Sequence, residues 1–278
     1  MITKTNALKY LSALPTPRYL RLNLSVLYRL YEKIRKLARL FRPLDDYDWS
    51  RYNIRYRAEL EWSNRFFTLD LSEVDFKWVD HLIYLPGDCK PLNLTNRCVW
   101  EAIGNLPALN SVAEIGVGGG HYIVGLRHLL GEQVRLSAYD LSEKQLNLFK
   151  EVWPNACQKI TTGILDITAS PIPTADRPDC VYATTVLMHI QRPNAYRAAL
   201  DHFVTSGKEY AVLMDNWNAH DYVSDLRSLI AGKPDLAGKA RLYVYDSGAN
   251  IALIISKRIE MGRPYQQLSE ANQLQKYM

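Results

Sequence analysis

The stretch from Val112 to Gly120, VAEIGVGGG, constrains the fold of this chain more than any other. Apolar residues with β propensity lead into closely spaced glycines, and an apolar pattern of helical period follows from Ile123 to Leu130. That order predicts a strand, a tight glycine turn and the start of a helix. Glycines tolerate positive φ and let a ligand lie against the backbone, while a helix start presents free N–H groups. We therefore expect a ligand site at this turn.

The spacing of the glycines distinguishes two ligand classes. A dinucleotide fingerprint, G-x-G-x-x-G, would have its third glycine where this chain has His121. The pattern here is E-x-G-x-G-x-G, formed by Glu114, Gly116, Gly118 and Gly120. It resembles motif I of the class I S-adenosylmethionine (SAM)-dependent methyltransferases. The resemblance implies SAM as cofactor, a ligand with an amino acid carboxylate and an adenosine but no pyrophosphate, and all four residues as contacts to it.

Composition indicates a globular protein. The chain has 278 residues, of which 47% are hydrophobic and 23% charged, enough for one sizeable core and an appendage. Cys89, Cys98, Cys157 and Cys180 form no C-x-x-C pair, so we expect reduced thiols and no metal site. Neither a membrane-spanning apolar run nor a signal peptide is evident, which predicts a cytoplasmic protein.

Positive charge is concentrated near the N-terminus. Residues 1–43 hold ten basic residues and one acid, a charge of +9, which leaves −4 for residues 44–278 of a chain whose net charge is +5. The segment 20–41 has the pattern of an amphipathic basic helix. Three interpretations stay open: a helix packed on the catalytic domain or a partner subunit, a peripheral contact with an anionic inner-membrane surface, or an arm for an acidic ligand.

Three regions follow from these patterns. Residues 1–94 are predicted to be a helical lid, substrate or docking region, with a second helix rich in aromatic residues and arginine over 45–67. Residues 95–258 are predicted to be a Rossmann-like SAM-binding domain that begins with a helix near Thr95. Residues 259–278 read as a polar tail, loose or weakly helical.

From Ser111 onwards, strand and helix patterns alternate, which predicts an α/β fold with a doubly wound, mostly parallel sheet. The last two strands are separated by only three residues, too few for a parallel crossover, so they should form an antiparallel hairpin. Five parallel strands followed by such a hairpin resemble the methyltransferase fold. The seven predicted strands are Val112–Gly116, Val134–Tyr139, Gln158–Thr162, Asp179–Thr184, Glu209–Met214, Ala240–Asp246 and Asn250–Ser256.

Asp140 ends the second strand, and Leu141 follows it. A carboxylate at this strand end can accept hydrogen bonds from both hydroxyls of a ribose, although it could also cap the helix that starts near Ser142. By resemblance, Asp166 would meet the adenine amino group, with Ile167 among the apolar neighbours that sandwich the ring. We include Leu141 and, at the end of the fourth strand, Thr184 among the candidate cofactor contacts.

The fourth strand runs into ATTVLMHIQRP, at the edge of the sheet where ligands bind in parallel α/β folds. The N/D-P-P-Y/F motif of nucleobase amino methyltransferases is absent there, and the chain contains no Pro-Cys pair of the cytosine C5 type. The segment resembles the v-l-x-H-l segment of small-molecule methyltransferases. His189 is therefore a candidate general base, with an architectural role as the alternative.

A second polar cluster follows the fifth strand. Asp215, Asn216 and His220 are candidates for orienting or deprotonating a hydroxyl, although His220 and Asp221 could instead cap the next helix. The sequence does not rank His220 against His189 as the base.

Three hypotheses remain for the function. The first is a SAM-dependent methyltransferase that acts on an oxygen of a small molecule or glycan. The second is a non-catalytic module of the same fold that docks on a membrane or partner through its basic N-terminal helix. The third, a dinucleotide-dependent oxidoreductase, is disfavoured by the glycine spacing and the terminal hairpin. The negative charge of residues 44–278 argues against a broad nucleic-acid surface. Oligomeric state stays open.

Overall fold

A computed structural model of the chain describes residues 77–79, 82–84, 94–247, 250–258 and 261–268, with side chains from residue 98 onwards. The predicted helices over 20–41 and 45–67 lie outside these residues. Further along the chain, a small antiparallel pair is formed by β1 (Lys77–Val79) and β2 (Leu82–Tyr84). In the described part of the chain, no helix has both the length and the apolar character needed to cross a membrane.

The remaining elements alternate between strand and helix as predicted. The helices are α1 (Leu94–Gly104), α2 (His121–Leu130), α3 (Glu143–Val152), α4 (Pro154–Cys157), α5 (Pro193–Ser206) and α6 (Tyr222–Gly232). The strands are β3 (Ser111–Ile115), β4 (Arg135–Asp140), β5 (Ile160–Ile164), β6 (Cys180–Thr184), β7 (Tyr210–Met214), β8 (Arg241–Asp246), β9 (Ile251–Ser256) and β10 (Gln266–Gln267).

These strands form one eight-stranded sheet in the order β10-β8-β9-β7-β6-β3-β4-β5. Strands β3 to β7 are parallel to one another, while β9 is antiparallel to both β7 and β8. The prediction of five parallel strands followed by an antiparallel hairpin is confirmed. All seven predicted strands are present, and the structure adds an eighth.

The order of the strands reverses next to β3. From β3 the chain moves outward through β4 and β5, and it then returns to the other side of β3 with β6 and β7. Strands β3, β6, β7 and β9 are buried along their whole length, so the core lies at the centre of the sheet. Ligands of such sheets bind beyond the carboxyl ends of the strands at the reversal, which here are the ends of β3 and β6.

The prediction of a loose or weakly helical tail is wrong for residues 261–268. This segment pairs with β8 through β10, and Leu268 donates its N–H to the carbonyl of Leu242. Tyr265 and Leu268 are buried, and the Tyr265 hydroxyl donates to the carbonyl of Ala102 at 2.5 Å. The surrounding sequence is polar, so these two apolar anchors carried too weak a signal to predict a strand.

Candidate active site

The glycine turn between β3 and α2 has the left-handed backbone that its sequence predicts. Gly116, Gly118 and Gly120 have φ values of 75°, 51° and 84°. A Cβ at Gly116 would lie 2.4 Å from a methyl carbon of Val186, and one at Gly120 would lie 2.0 Å from the ring of Phe149. A Cβ at Gly118 would meet nothing within 4 Å. Packing therefore requires the outer two glycines, whereas the middle one borders open space.

Asp140 lies beside that open space. Its Oδ2 accepts the N–H of Gly118 at 3.0 Å, and its Oδ1 accepts the N–H of Ser142 at 2.8 Å. Each oxygen keeps a further lone pair for a hydroxyl donor. Helix α3 starts only at Glu143, so the bond to Ser142 closes a turn ahead of the helix and does not cap its first turn. Burial raises the pKa of Asp140, which the two N–H groups partly offset.

Two large apolar side chains are exposed next to Asp140. Leu141 is 55% exposed and Ile164, the residue paired with Asp140 across β4 and β5, is 63% exposed. Only one other large apolar residue of the described chain, Leu129, is exposed to a similar degree. Three features thus lie at adjacent strand ends: the carboxylate, the open space at Gly118 and the two exposed side chains. This arrangement suits a ligand in which a sugar is joined to a flat apolar ring.

Glu114 is buried beneath the turn. Its Oε2 accepts the hydroxyl of Tyr182, on the neighbouring strand, at 2.8 Å, and the N–H of Ile123 at the start of α2 also stabilises the carboxylate. Burial raises the pKa of Glu114 well above its ordinary value. Its observed contacts therefore join β3, β6 and the start of α2.

The loop after β5 holds the next two predicted cofactor contacts. Asp166 is half-buried, and its Oδ1 accepts the N–H and the hydroxyl of Thr168, which makes a tight local turn. Ile167 is buried in the core, and its carbonyl oxygen lies 2.8 Å from Nδ1 of His202. The predicted contact of Ile167 with an adenine ring stays a prediction, and the exposed Ile164 is a neighbour that the sequence did not single out.

At the end of β6, Thr184 and Thr185 differ sharply. Thr184 is buried, and its Oγ1 has no hydrogen-bond partner among the residues that the structure describes. Thr185 is exposed and has a φ of 54°, a strained value for a β-branched residue. Such strain is often found at functional sites. Both residues lie close in sequence to Val186, whose side chain packs against Gly116 of the glycine turn.

The three predicted catalytic residues are connected through one short segment, the 3₁₀ turn Leu187–His189. Asp215, at the end of β7, accepts the N–H of Met188 at 3.1 Å through Oδ2 and that of Asn216 at 2.8 Å through Oδ1. Nε2 of His220 lies 3.2 Å from the carbonyl oxygen of Leu187. Because a carbonyl oxygen only accepts, Nε2 carries the proton. Asp215 and His220 therefore hold the backbone of the turn that carries His189.

Aromatic rings enclose this cluster. His220 stacks on Tyr196 with ring centroids 3.7 Å apart, and it contacts Tyr222 edge-on at 5.5 Å. Burial lowers the pKa of both His189 and His220, so both imidazoles are neutral at pH 7. Burial also raises the pKa of Asp215 to about 6, against the opposing effect of its backbone donors.

Several residues that support the site were not predicted from the sequence. Tyr182 holds Glu114, Phe149 packs on Gly120, and Trp153 donates its indole N–H to the carbonyl of Gly119 at 2.8 Å. In the sequence, their aromatic side chains cannot be told from ordinary core residues. Pairing of β3 with β6 could have indicated that Tyr182 lies next to Glu114. No local signal indicates that Trp153 contacts Gly119.

Metal ligands form no cluster in the described part of the chain. No three His, Cys, Asp or Glu side chains there lie close enough together to hold a metal ion.

Comparison with known proteins yields fold neighbours only. No family model and no curated protein matches the chain. A SAM-dependent methyltransferase from Aquifex aeolicus is similar, with 16% identity and a TM-score of 0.44 over 58% of this chain and 88% of that one. NodS, an N-methyltransferase from Bradyrhizobium japonicum solved with S-adenosylhomocysteine (SAH), has 14% identity and a TM-score of 0.41 over 63% and 86%.

The CurJ carbon methyltransferase has 14% identity and a TM-score of 0.44 over 59% of this chain, which spans about half (54%) of that one. Because these identities and TM-scores are low, the fold is assigned from the strand order and the glycine turn. Five parallel strands, a reversal beside β3 and a closing antiparallel hairpin give the described domain the fold of the class I SAM-dependent methyltransferases.

The buried carboxyl of Asp215 predicts a pH-dependent stability. Its pKa rises from 3.8 to about 6 on folding, so the folded state holds this proton more tightly. The contribution of Asp215 to the free energy of unfolding therefore falls as pH rises from 4 to 6, by at most about 3 kcal/mol, and levels off above pH 7.

Urea unfolding of the wild type and Asp215→Asn, from pH 4 to 7.5, measures this change. The wild type should lose stability relative to the variant across that window. A difference between the two proteins that stays constant with pH would contradict the assignment.

Proposed function

We propose that this protein is a SAM-dependent methyltransferase that transfers a methyl group to an oxygen atom of a small molecule or glycan. The observation that carries the proposal is the arrangement around Asp140. A buried carboxylate with free lone pairs adjoins the open space at Gly118, and the exposed Leu141 and Ile164 flank it. All four lie at the carboxyl edge of the sheet, where ligands of this fold bind.

These residues fit the parts of SAM. Asp140 would accept the ribose hydroxyls, Leu141 and Ile164 would cover the adenine, and the backbone at Gly118 would lie against the ligand. The buried Oγ1 of Thr184, without a partner in the described chain, offers a further polar contact at the end of β6. When bound, SAM supplies the electrophilic methyl group.

The chain's own contribution is to orient the acceptor, exclude water and remove a proton. An oxygen acceptor benefits most from a general base, which typically contributes about 10²–10⁴-fold. We infer that His189 is this base, because its lowered pKa keeps it unprotonated at pH 7 and it is partly accessible. Asp215 and His220 would act by holding the turn that carries it.

The choice of oxygen in a small molecule or glycan is supported by sequence rather than by a bound acceptor. The end of β6 lacks the nucleobase amino-methylation motif, and the v-l-x-H-l resemblance points to small acceptors. Cytoplasmic location and the role of the basic segment 20–41 stay predictions. A non-catalytic module would also carry the glycine turn, so binding and turnover must be tested separately.

Substitution of Gly118 tests whether the cofactor lies against the turn. Gly118→Val should abolish SAH binding, because its side chain would enter the open space that the ligand needs. Titration calorimetry with SAH measures the effect.

Gly238→Val is a matched control. Gly238 has a φ of 74° and also has nothing within 4 Å of a Cβ, so the variant introduces comparable backbone strain outside the candidate site. It should bind SAH like the wild type. Equal SAH affinity in both variants would contradict the assigned position of the cofactor.

Substitution of Asp140 tests the ribose contact. Asp140→Ala should weaken SAM and SAH alike, by roughly 10–100-fold, because both ligands share the ribose and lose charge-assisted hydrogen bonds. Asp140→Asn, which keeps an acceptor oxygen without the charge, should bind with intermediate affinity. Unchanged affinity of Asp140→Ala for both ligands would eliminate the ribose assignment.

Substitution of the two histidines distinguishes a residue that removes a proton from one that holds the turn Leu187–His189 in place. His189→Gln should lower kcat by roughly 10²-fold while SAH affinity stays close to the wild-type value, as expected for a lost base. His220→Gln should lower the melting temperature as well, because it releases the carbonyl of Leu187.

The assay follows SAH release from SAM over a panel of phenols, hydroxy acids and sugars. Once an acceptor is found, full turnover by His189→Gln would refute its role as base.

A further inference from the structure

Two aromatic residues at the C-terminal end of helix α3 contact the glycine turn. The indole N–H of Trp153 donates to the carbonyl of Gly119 at 2.8 Å, and both groups are buried. One turn earlier on the same helix, the ring of Phe149 fills the space beside Gly120. The two aromatic residues thus contact consecutive glycines, some thirty positions away in the sequence.

This contact holds one end of a peptide group in the glycine-rich turn. Gly118, Gly119 and Gly120 are consecutive, and glycine restricts the backbone less than any other residue. The peptide between Gly119 and Gly120 is held at both ends, since its carbonyl accepts from Trp153 and its N–H donates to Val117 at 2.9 Å. The next peptide along the turn, Gly118–Gly119, begins at the glycine that borders the open space.

Trp153 is itself fixed by two helices. Its backbone N–H donates to Phe149 at the end of α3, and its carbonyl accepts the N–H of Cys157 at the end of α4. Pro154 starts α4 directly after it. The indole is therefore attached to a rigid corner, which makes it suited to hold a flexible loop.

We infer that Trp153 is a positioning residue for the cofactor, acting through the carbonyl of Gly119. The inference rests on the proposed function for its ligand, but the order it imposes on the turn exists without any ligand. Loss of the indole N–H should let the turn sample other backbone orientations, so that cofactor binding would have to restore the order.

Trp153→Phe removes the donor and keeps an aromatic ring. Trp100→Phe is the matched control, because the indole of Trp100 also donates to a backbone carbonyl, that of Tyr122, at 2.9 Å, outside the glycine turn. Hydrogen exchange of the ligand-free proteins is measured on the peptide that spans residues 117–121, and SAH affinity is measured by calorimetry.

In Trp153→Phe, exchange over 117–121 should be about tenfold faster than in the wild type and Trp100→Phe. Its SAH affinity should fall roughly fivefold, as one buried hydrogen bond is lost, while the affinity of Trp100→Phe stays close to the wild-type value. Unchanged exchange, or an equal effect in the control, would overturn the inference. A wild type that binds no SAH would overturn the proposed function, while the exchange would still decide whether Trp153 orders the turn.

The wild-type protein offers a test that needs no folded variant. Among the six tryptophan indole protons, that of Trp153 should show slow deuterium exchange, and its resonance should shift on SAH addition. Fast exchange of this proton would equally contradict the inference.

Discussion

The hydrogen bond between the N–H of Gly118 and the carboxylate of Asp140 joins the two features on which the site depends. It connects the turn after β3 to the end of β4, so the open space at the middle glycine and the buried acid share one edge of the sheet. The parallel register of β3 and β4 brings these strand ends together. Val186 and Phe149 close the turn on either side of Gly118, because they occupy the space that a Cβ on Gly116 or Gly120 would need.

The polar groups next to the 3₁₀ turn Leu187–His189 support its backbone. Asp215 and His220 both contact the backbone of residues 187–188, which places their hydrogen-bonding capacity in the support of a turn. His189 is carried by that turn. In the proposed function, His189 is the base, and Asp215 and His220 support the turn that carries it.

Much of this arrangement could be predicted from the sequence. The strand periodicity, the glycine spacing and the short connection before the last strand were sufficient for the parallel sheet and its antiparallel hairpin. The position of Asp140 after the second strand was sufficient to bring it to the turn. These signals are local, or they follow from the fixed geometry of parallel strands.

The contacts that could not be predicted are long-range. Trp153 reaches Gly119, Tyr182 reaches Glu114, and Tyr265 reaches Ala102 across 34, 68 and 163 positions. Their residue types are common in any core, and only the packed structure reveals which carbonyl or carboxylate each one meets. The strain at Thr185 has the same origin, since its residue type favours extended backbone and tertiary context imposes the left-handed turn.

Parallel calorimetric titration of the purified protein with SAH and with NADH tests the central claim most directly. The account predicts saturable binding of SAH with a stoichiometry near one and no heat signal from NADH. Binding of NADH, or failure of a folded sample to bind either SAH or SAM, would contradict it.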